Sequence, residues 1–95
     1  MIHSFANKET EEVFHGIHTH ALRKLLPAHL TKVAERRFDV LNCAESLESM
    51  ALIPSMKSEG PVRDAHGKYS IPIEGNIRIA FRWEKNGASD VELKF

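Results

Sequence analysis

The last third of the chain alternates between apolar and polar residues with a period of two, and this pattern restricts it to β-structure. Its bulky apolar residues all carry odd numbers: Tyr69, Ile71, Ile73, Ile77, Ile79, Phe81, Trp83, Val91, Leu93 and Phe95. Successive side chains of a strand point to opposite faces of a sheet, so the shared parity puts these residues on one face. The pattern therefore predicts strands that bury one face and expose the other.

The same parity predicts how the strands connect. Residues opposite each other in an antiparallel pair share a face, so the two numbers of each pair must add to an even total. Loops of three residues at 74–76 and 85–87 satisfy this condition, and each contains a Gly or Asn for a left-handed position. A two-residue turn at 75–76 would instead put an acidic residue beside an apolar one. The predicted pairs next to the two loops of this three-stranded meander are Ile73–Ile77 and Glu84–Ala88.

The first half of the chain is predicted to be helical after a short strand over residues 1–5. Asn7 is a good N-cap, acidic residues follow it, and Gly16 ends this first helix. Pro27 suits the first position of a second helix. The apolar stripe of that helix has helical spacing and contains Leu30, Val33, Ala34, Phe38 and Leu41. Residues 17–26 fit either a helical turn or an ordered loop, residues 46–48 can start a short helix, and residues 52–67 fit a strand fragment plus a long loop.

These segments predict an α+β fold that forms a single domain over residues 1–95. Two N-terminal helices pack on one face of an antiparallel sheet of three or four strands, and the N-terminal strand is expected to join that sheet. Composition is typical of a globular protein, with 42% hydrophobic and 27% charged residues. A single cysteine, no long apolar run and no signal-peptide pattern indicate a cytoplasmic protein that does not enter a membrane.

The predicted register also assigns the side chains of the polar face. Its opposite pairs are Lys68–Arg82, Arg82–Asp90, Pro72–Arg78 and Arg78–Lys94, and its middle row is Ser70, Ala80 and Glu92. Two arginines and two lysines among small neighbours suit the binding of a phosphate group. Lys57 and Arg63, on the preceding loop, could extend the rim of this cluster. An exposed antiparallel face normally carries charges, so an ordinary solvated face is the alternative interpretation.

Other chemistry-bearing residues do not form a recognisable site. His15, His18 and His20 lack the i, i+4 spacing of a helical zinc pair, so we predict no metal site. Cys43 lacks the local signature of a nucleophile and is expected to be a small buried apolar residue. Thirteen basic and thirteen acidic side chains cancel. Any binding of nucleic acid must therefore come from a local cluster of cations.

Three stretches of the sheet resemble the HigB-type toxins, the plasmid-maintenance killer branch of the RelE superfamily. They are residues 67–71 (Gly-Lys-Tyr-Ser-Ile), 76–83 (Asn-Ile-Arg-Ile-Ala-Phe-Arg-Trp) and 90–92 (Asp-Val-Glu). The first five residues resemble the first strand of that family, and residues 36–44 resemble its second helix. The resemblance spans nearly the whole chain in the same order, although residues 18–26 and 58–66 match poorly. Its most specific part is residues 76–83.

The resemblance implies a RelE-like fold and the toxin of a type II toxin–antitoxin system. Such a toxin enters the ribosomal A site and cuts mRNA as a ribosome-dependent endoribonuclease, without a cofactor. A helix-turn-helix antitoxin similar to HigA restrains it, and operator DNA is contacted only through that antitoxin. Attack of a ribose 2′-OH on the adjacent phosphate needs a base, cations and an acid. The resemblance implies Lys57 and Arg78 as transition-state cations and Arg82 as phosphate anchor. The predicted register and the preceding loop, and not the resemblance, add Lys68, Lys94 and Arg63 as further RNA-binding residues.

Two features depart from the family pattern. Members of the family continue past the Asp-Val-Glu stretch into an Asp-Tyr-His tail that contributes to catalysis, whereas this sequence ends Asp-Val-Glu-Leu-Lys-Phe. His66 is then the nearby histidine that can substitute as a catalytic group. The net charge is zero, whereas these ribonucleases are generally basic. Two alternatives follow. One is a catalytically weakened or silent relative that only binds its antitoxin, and operator DNA through it. The other is a gyrase inhibitor of the ParE branch, which the 76–83 motif disfavours.

Overall fold

The computed structural model describes residues 1–51 and 61–95 and has an α+β architecture. Its helices are α1 (Lys8–Phe14), α2 (His20–Leu25), α3 (Ala28–Cys43) and α4 (Leu47–Ala51). Its strands are β1 (Val62–Arg63), β2 (Tyr69–Glu74), β3 (Ile77–Glu84) and β4 (Gly87–Lys94). They form one antiparallel sheet in the order β1-β2-β3-β4. The predicted class and sheet are confirmed; α1 and α3 are the two predicted helices, and α2 and α4 lie in stretches where the sequence leaves a helical turn or a short helix open.

The helix ends follow from local capping. Asn7 Oδ1 accepts a hydrogen bond from the backbone N–H of Thr10 at 2.9 Å, and Gly16 adopts a φ of +78° after α1, both as predicted. Pro27 is the N-cap of α3 and not its first helical residue, since its ψ of 147° is extended. The ambiguous stretch before it contains α2, whose N-cap Thr19 accepts the N–H of Leu22.

The hydrophobic core lies between the helices and one face of the sheet. The predicted stripe of α3 contributes Leu30, Ala34, Phe38 and Leu41, with Val33 half-buried beside them. The sheet contributes Ile71, Ile73, Ile79, Phe81, Val91 and Leu93. Cys43 is exposed, so its predicted burial is wrong. It follows Leu41 by two residues and therefore lies on the opposite side of the helix.

α3 is the longest helix of the described ranges and has only 16 residues. Its exposed side carries charged residues, among them Lys32, Arg36 and Asp39. Within residues 1–51 and 61–95, no helix has the length and apolar character that a membrane crossing requires.

The two hairpin turns are shorter than the parity argument predicts. Glu74 pairs with Ile77 across a two-residue turn at Gly75-Asn76, and Glu84 pairs with Gly87 across Lys85-Asn86. Lys85 and Asn86 both have positive φ, 53° and 59°, as a type I′ turn requires. The predicted three-residue loops are therefore wrong.

A β-bulge in each hairpin restores the predicted register beyond the turn. Register shifts lie between Pro72 and Glu74 on β2, and between the pairs Ala80–Glu92 and Arg82–Ser89 on β3 and β4. The pairs in the body of the sheet are those predicted, including Ile71–Ile79, Pro72–Arg78, Ala80–Glu92 and Arg78–Lys94. Parity requires one residue more than a two-residue turn provides. In each hairpin that extra residue forms a bulge inside a strand and does not lengthen the loop.

The second bulge changes which residues of β4 face the core. Asp90 lies at this bulge with a φ of +51°. Before the bulge, Ala88 pairs with Trp83 and is fully buried, so its predicted pairing with Glu84 on the polar face is wrong. Arg82 correspondingly pairs with Ser89 and not with Asp90. The bulge allows Ala88 and Val91, three residues apart, to point to the same core.

The N-terminal residues cover the free edge of β4. Residues 1–5 lie beside the sheet as predicted, but they form two isolated parallel bridges, Ile2 to Ala88 and Phe5 to Val91, and not a continuous strand. Backbone and side-chain groups of residues 1–6 pair with the β4 edge from Ala88 to Val91. Further along, Thr10 Oγ1 accepts the N–H of Leu93 at 2.9 Å. This edge is therefore closed to pairing with another chain over much of its length.

The opposite edge is protected differently. β1 pairs only with Ser70 and Tyr69, so it does not cover the later part of β2. Pro72 has no N–H to offer there, and its carbonyl accepts a hydrogen bond from Arg37 Nε of α3 at 3.0 Å. A proline and a side chain that occupies its carbonyl oppose strand addition at this edge.

We expect Thr10→Val to lower the free energy of unfolding by about 1–2 kcal/mol, because it leaves the Leu93 N–H unpaired at a buried position. Thr10 is 1% exposed, and valine matches its shape without offering an acceptor. Urea unfolding of purified variants measures the effect. Thr10→Ser keeps the hydroxyl and is the matched control; equal losses in both variants would show that the hydrogen bond contributes nothing.

Candidate nucleic-acid interface

The sheet face that points away from the core carries the candidate site, and we call it the outer face. It contains Ser70, Pro72, Arg78, Ala80, Arg82, Glu92 and Lys94, as the registers of the three strands require. Ala80 is at the centre and is 7% exposed, because the longer side chains around it shield its methyl group. The outer face is thus a set of polar side chains around a small central residue.

Arg78 is held on this face by one hydrogen bond. Its Nε donates to Ser70 Oγ at 2.9 Å, from one strand to the next. Arg78 is half-buried, and it makes no other hydrogen bond or ion pair within the described residues. Its two terminal Nη groups therefore keep their donors, and its charge is not neutralised by a carboxylate in that part of the chain. A guanidinium in this state is suited to bind the paired oxygens of a phosphate.

The two other β3 and β4 cations have acidic partners. Arg82 Nε lies 3.7 Å from Asp90 Oδ2, and Lys94 Nζ lies 3.3 Å from Glu92 Oε1. The Arg82 and Lys94 side chains are 57% and 56% exposed, so solvent screens both ion pairs. A phosphate can displace such weak pairs. The predicted contact between Arg82 and Asp90 exists, although the bulge makes it a diagonal contact and not a direct cross-strand pair.

The structure brings only some of the sequence-predicted site residues together. Lys68 precedes β2, so its predicted pairing with Arg82 lies outside the strand ladder, which begins at Tyr69–Phe81. Arg63 pairs with Tyr69 and lies 5.9 Å from its ring centre, which puts it on the core side of the sheet and away from Arg78. Lys57 lies outside the described residues.

His66 is exposed on the turn between β1 and β2. Arg78 pairs with Pro72, and the row of Pro72 is about 13 Å along the strand from that of Lys68. The fold therefore separates His66 from Arg78 by much of the length of β2. The arrangement does not bring this histidine and this arginine to one phosphate group.

The turn that carries His66 is organised by Asp64. Its Oδ1 accepts the backbone N–H groups of His66 at 2.8 Å and of Lys68 at 3.0 Å. These bonds, the one from Lys68 above all, hold the pKa of the Asp64 carboxyl below its ordinary value. Because the folded state has the lower pKa, this stabilisation of the turn is present at neutral pH and is lost as the pH falls through that pKa.

The histidines considered for metal binding are dispersed. His15 lies 4.0 Å from Glu11 along α1, and His18 lies 3.5 Å from Glu35 of α3. His29, near the start of α3, is 72% exposed and contacts Glu74 at 3.5 Å. Within residues 1–51 and 61–95, no group of three histidine, cysteine or acidic side chains is placed to hold a metal ion.

The main contribution that sequence reasoning missed is the Ser70 hydroxyl. The predicted register places Ser70 only as a small neighbour of the cations, whereas its hydroxyl accepts the Arg78 Nε hydrogen bond. The predicted register contained the necessary signal, because Ser70 opposes Ala80 and is thus diagonal to Arg78. Diagonal neighbours on one face are within reach of long side chains.

No protein-family model and no curated protein sequence matches the chain. The resemblance to HigB-type toxins remains an expectation drawn from residues 67–71, 76–83 and 90–92. The geometry of the outer face is an independent observation, since it depends on strand register and on measured contacts. It identifies Arg78 as the described outer-face arginine that is both held in place and without an acidic partner in the described ranges.

Proposed function

We propose that this chain is the toxin of a type II toxin–antitoxin system, with a RelE-like fold of the HigB branch, and that it cuts mRNA on the ribosome. The observation that carries the proposal is the outer face, where the guanidinium of Arg78 is held by Ser70 and keeps its terminal donors open. Lys94, opposite Arg78, and Arg82, further along β3, add positive charge to the outer face. An RNA backbone offers the phosphate groups that such a cluster binds.

The proposed chemistry is attack of a ribose 2′-oxygen on the adjacent phosphorus. The new bond closes a 2′,3′-cyclic phosphate, the bond from phosphorus to the 5′-oxygen breaks, and the proton lost by the 2′-OH is balanced by one gained at the 5′-oxygen. Arg78 donates to the phosphate oxygens, whose negative charge increases in the transition state. Arg82 anchors a neighbouring phosphate. Lys57 is the second proposed transition-state cation.

The proposed partners follow from this activity. The ribosome holds the mRNA substrate, so the protein acts in the cytoplasm. A helix-turn-helix antitoxin similar to HigA restrains the toxin and carries it to operator DNA. The proposed chemistry uses protein side chains and needs no cofactor.

The direct test is induction of the chain in cells that lack its antitoxin, with growth and primer extension on a translated mRNA followed together. Growth arrest with cuts that require translation supports the nuclease. An Arg36→Ala variant changes an exposed arginine of α3 and is the matched control for variants of the outer face. Normal growth and intact mRNA, with folded protein present, would contradict the proposal.

A silent relative that only binds its antitoxin is the second candidate. The separation of His66 from Arg78 favours it, because the outer face then has no described histidine beside its central arginine. Before any RNA binds, Arg82 and Lys94 are also already paired with Asp90 and Glu92, which compete with phosphate for them. This candidate predicts a stable complex with the antitoxin and no translation-dependent cuts in the induction experiment.

We expect Glu92→Gln to tighten RNA binding about threefold, because it removes a carboxylate that competes with phosphate for Lys94. The plot of log affinity against log salt concentration should become steeper, since Lys94 is then available to displace counterions. Fluorescence anisotropy with a short RNA measures both quantities. Glu45→Gln, which changes an exposed carboxylate after α3, should leave the affinity unchanged. Equal effects of the two substitutions would indicate a response to net charge alone.

A further inference from the structure

Among the contacts between two outer-face side chains in the described ranges, only that of Ser70 and Arg78 joins a cation to a neutral acceptor. The hydroxyl of Ser70 accepts Nε at 2.9 Å, and the contact is partly buried. The other contacts of outer-face cations, Arg82–Asp90 and Lys94–Glu92, have carboxylate acceptors. The chemical difference is that a hydroxyl fixes the position of the arginine without cancelling its charge.

The atom used in this bond decides which side of the guanidinium is presented. Nε is engaged by Ser70, so the edge formed by the two terminal Nη groups is the one left to bind a ligand. That edge can donate two parallel hydrogen bonds to the two non-bridging oxygens of a phosphodiester. An arginine side chain has considerable rotamer freedom, and fixing Nε beforehand reduces the entropy lost on binding.

We infer that Ser70 is a positioning residue, which holds Arg78 so that its terminal edge faces a phosphodiester of the bound RNA. The inference rests on the proposed function, in that RNA is taken as the source of the phosphate. Ser70 acts through Arg78 and itself touches no substrate atom. Because its hydroxyl is neutral, Ser70 also leaves the positive charge of Arg78 intact, which a carboxylate at this position would neutralise.

A double-mutant cycle tests the inference. The purified full chain is titrated with a short RNA that carries 2′-O-methyl groups and cannot be cut, and the dissociation constant is measured by anisotropy. Ser70→Ala should weaken binding about fivefold, the usual effect of one hydrogen bond. Ser70→Thr keeps a hydroxyl and should restore most of the affinity. In an Arg78→Ala background, Ser70→Ala should have no further effect. The same fivefold loss in that background would overturn the inference, because Ser70 would then act independently of Arg78.

Ser70→Asp is a further variant of the same titration, and a different loss of RNA affinity is expected for it. The carboxylate can still hold Nε, but it adds a negative charge beside the phosphate. Binding should therefore weaken more than in Ser70→Ala, despite retention of the contact. Affinity equal to that of the unchanged protein would overturn the part of the inference that concerns charge.

An NMR measurement separates this inference from the proposed function. The Arg78 Nε–H proton should exchange slowly with water in the unchanged protein and rapidly in Ser70→Ala. Equal exchange rates would overturn the positioning role. Because the measurement needs no RNA, a slow proton in a chain that cuts no mRNA would support the role of Ser70 while contradicting the nuclease proposal.

Discussion

Replacing Arg78 with alanine is expected to lower translation-dependent mRNA cleavage by about 100-fold, the usual effect of losing one donor to a charged transition state. Arg78 presents two terminal donors, and Ser70 already holds its Nε in place. Alanine removes both the donors and the positive charge. The rate is best measured under single-turnover conditions, with purified ribosomes that carry one defined mRNA.

Stability is the necessary control for this prediction. Arg78 lies on the outer face and outside the hydrophobic core, so its loss should change the unfolding midpoint little. Arg78→Lys retains a charge but not the two-pronged edge, and we expect it to recover only part of the rate. Arg36→Ala on α3 should cut at the normal rate. If Arg78→Ala unfolds the chain in proportion to its loss of cleavage, or cuts normally, the site assignment is wrong.

Replacing Gly87 with alanine is expected to lower the free energy of unfolding by about 3 kcal/mol, at the upper end of the usual cost of overpacking. An ideal Cβ at Gly87 would lie 2.6 Å from the Met1 carbonyl oxygen and would also overlap the His3 ring. The flexible end of a side chain could move away, but a backbone carbonyl that is itself hydrogen-bonded to Ala88 cannot do so cheaply. Urea unfolding measures the loss.

Two further variants separate the steric cause from other effects. Gly75→Ala adds a methyl group to open space at a φ of +56°, so it should cost only about 1 kcal/mol of backbone strain. Gly87→Ala combined with His3→Ala should recover part of the loss, because one of the two overlapping groups is then removed. Full stability of Gly87→Ala would mean that residues 1–3 do not lie against β4 in solution.

Short-range sequence signals predicted most of the secondary structure. The Asn7 N-cap and the C-terminal Gly16 act on residues next to them in the sequence, and the apolar stripe of α3 repeats every three or four residues. The interactions that favour these helices therefore involve only neighbouring residues and can be recognised in the sequence. The odd-numbered alternation predicted the buried face of the sheet. It failed at Ala88 because a bulge at Asp90 resets the parity of β4.

The candidate site was predicted to the extent that it depends on register. The pairs of Arg78 with Pro72 and Lys94 were predicted from parity together with three-residue loops; the pairs are present, although the loops are shorter. The exclusion of Arg63 was not predictable, because β1 has only two residues and its register depends on the turn organised by Asp64. The separation of His66 from Arg78, in contrast, is already contained in the predicted register, which pairs Arg78 with Pro72 and places His66 before β2.

The sequence by itself determined the main helices and strands and, except at Ala88, which face of the sheet is buried, because periodicity and capping are properties of neighbouring residues. The tertiary structure decided where chain segments far apart in sequence meet. Residues 1–6 cover β4, and the Leu93 N–H donates to the Thr10 hydroxyl. Met1 and His3 approach Gly87 so closely that no side chain fits at that position without displacing them. These contacts join residues more than 80 positions apart, and their energies arise only when backbone groups and volumes from both ends of the chain are brought together.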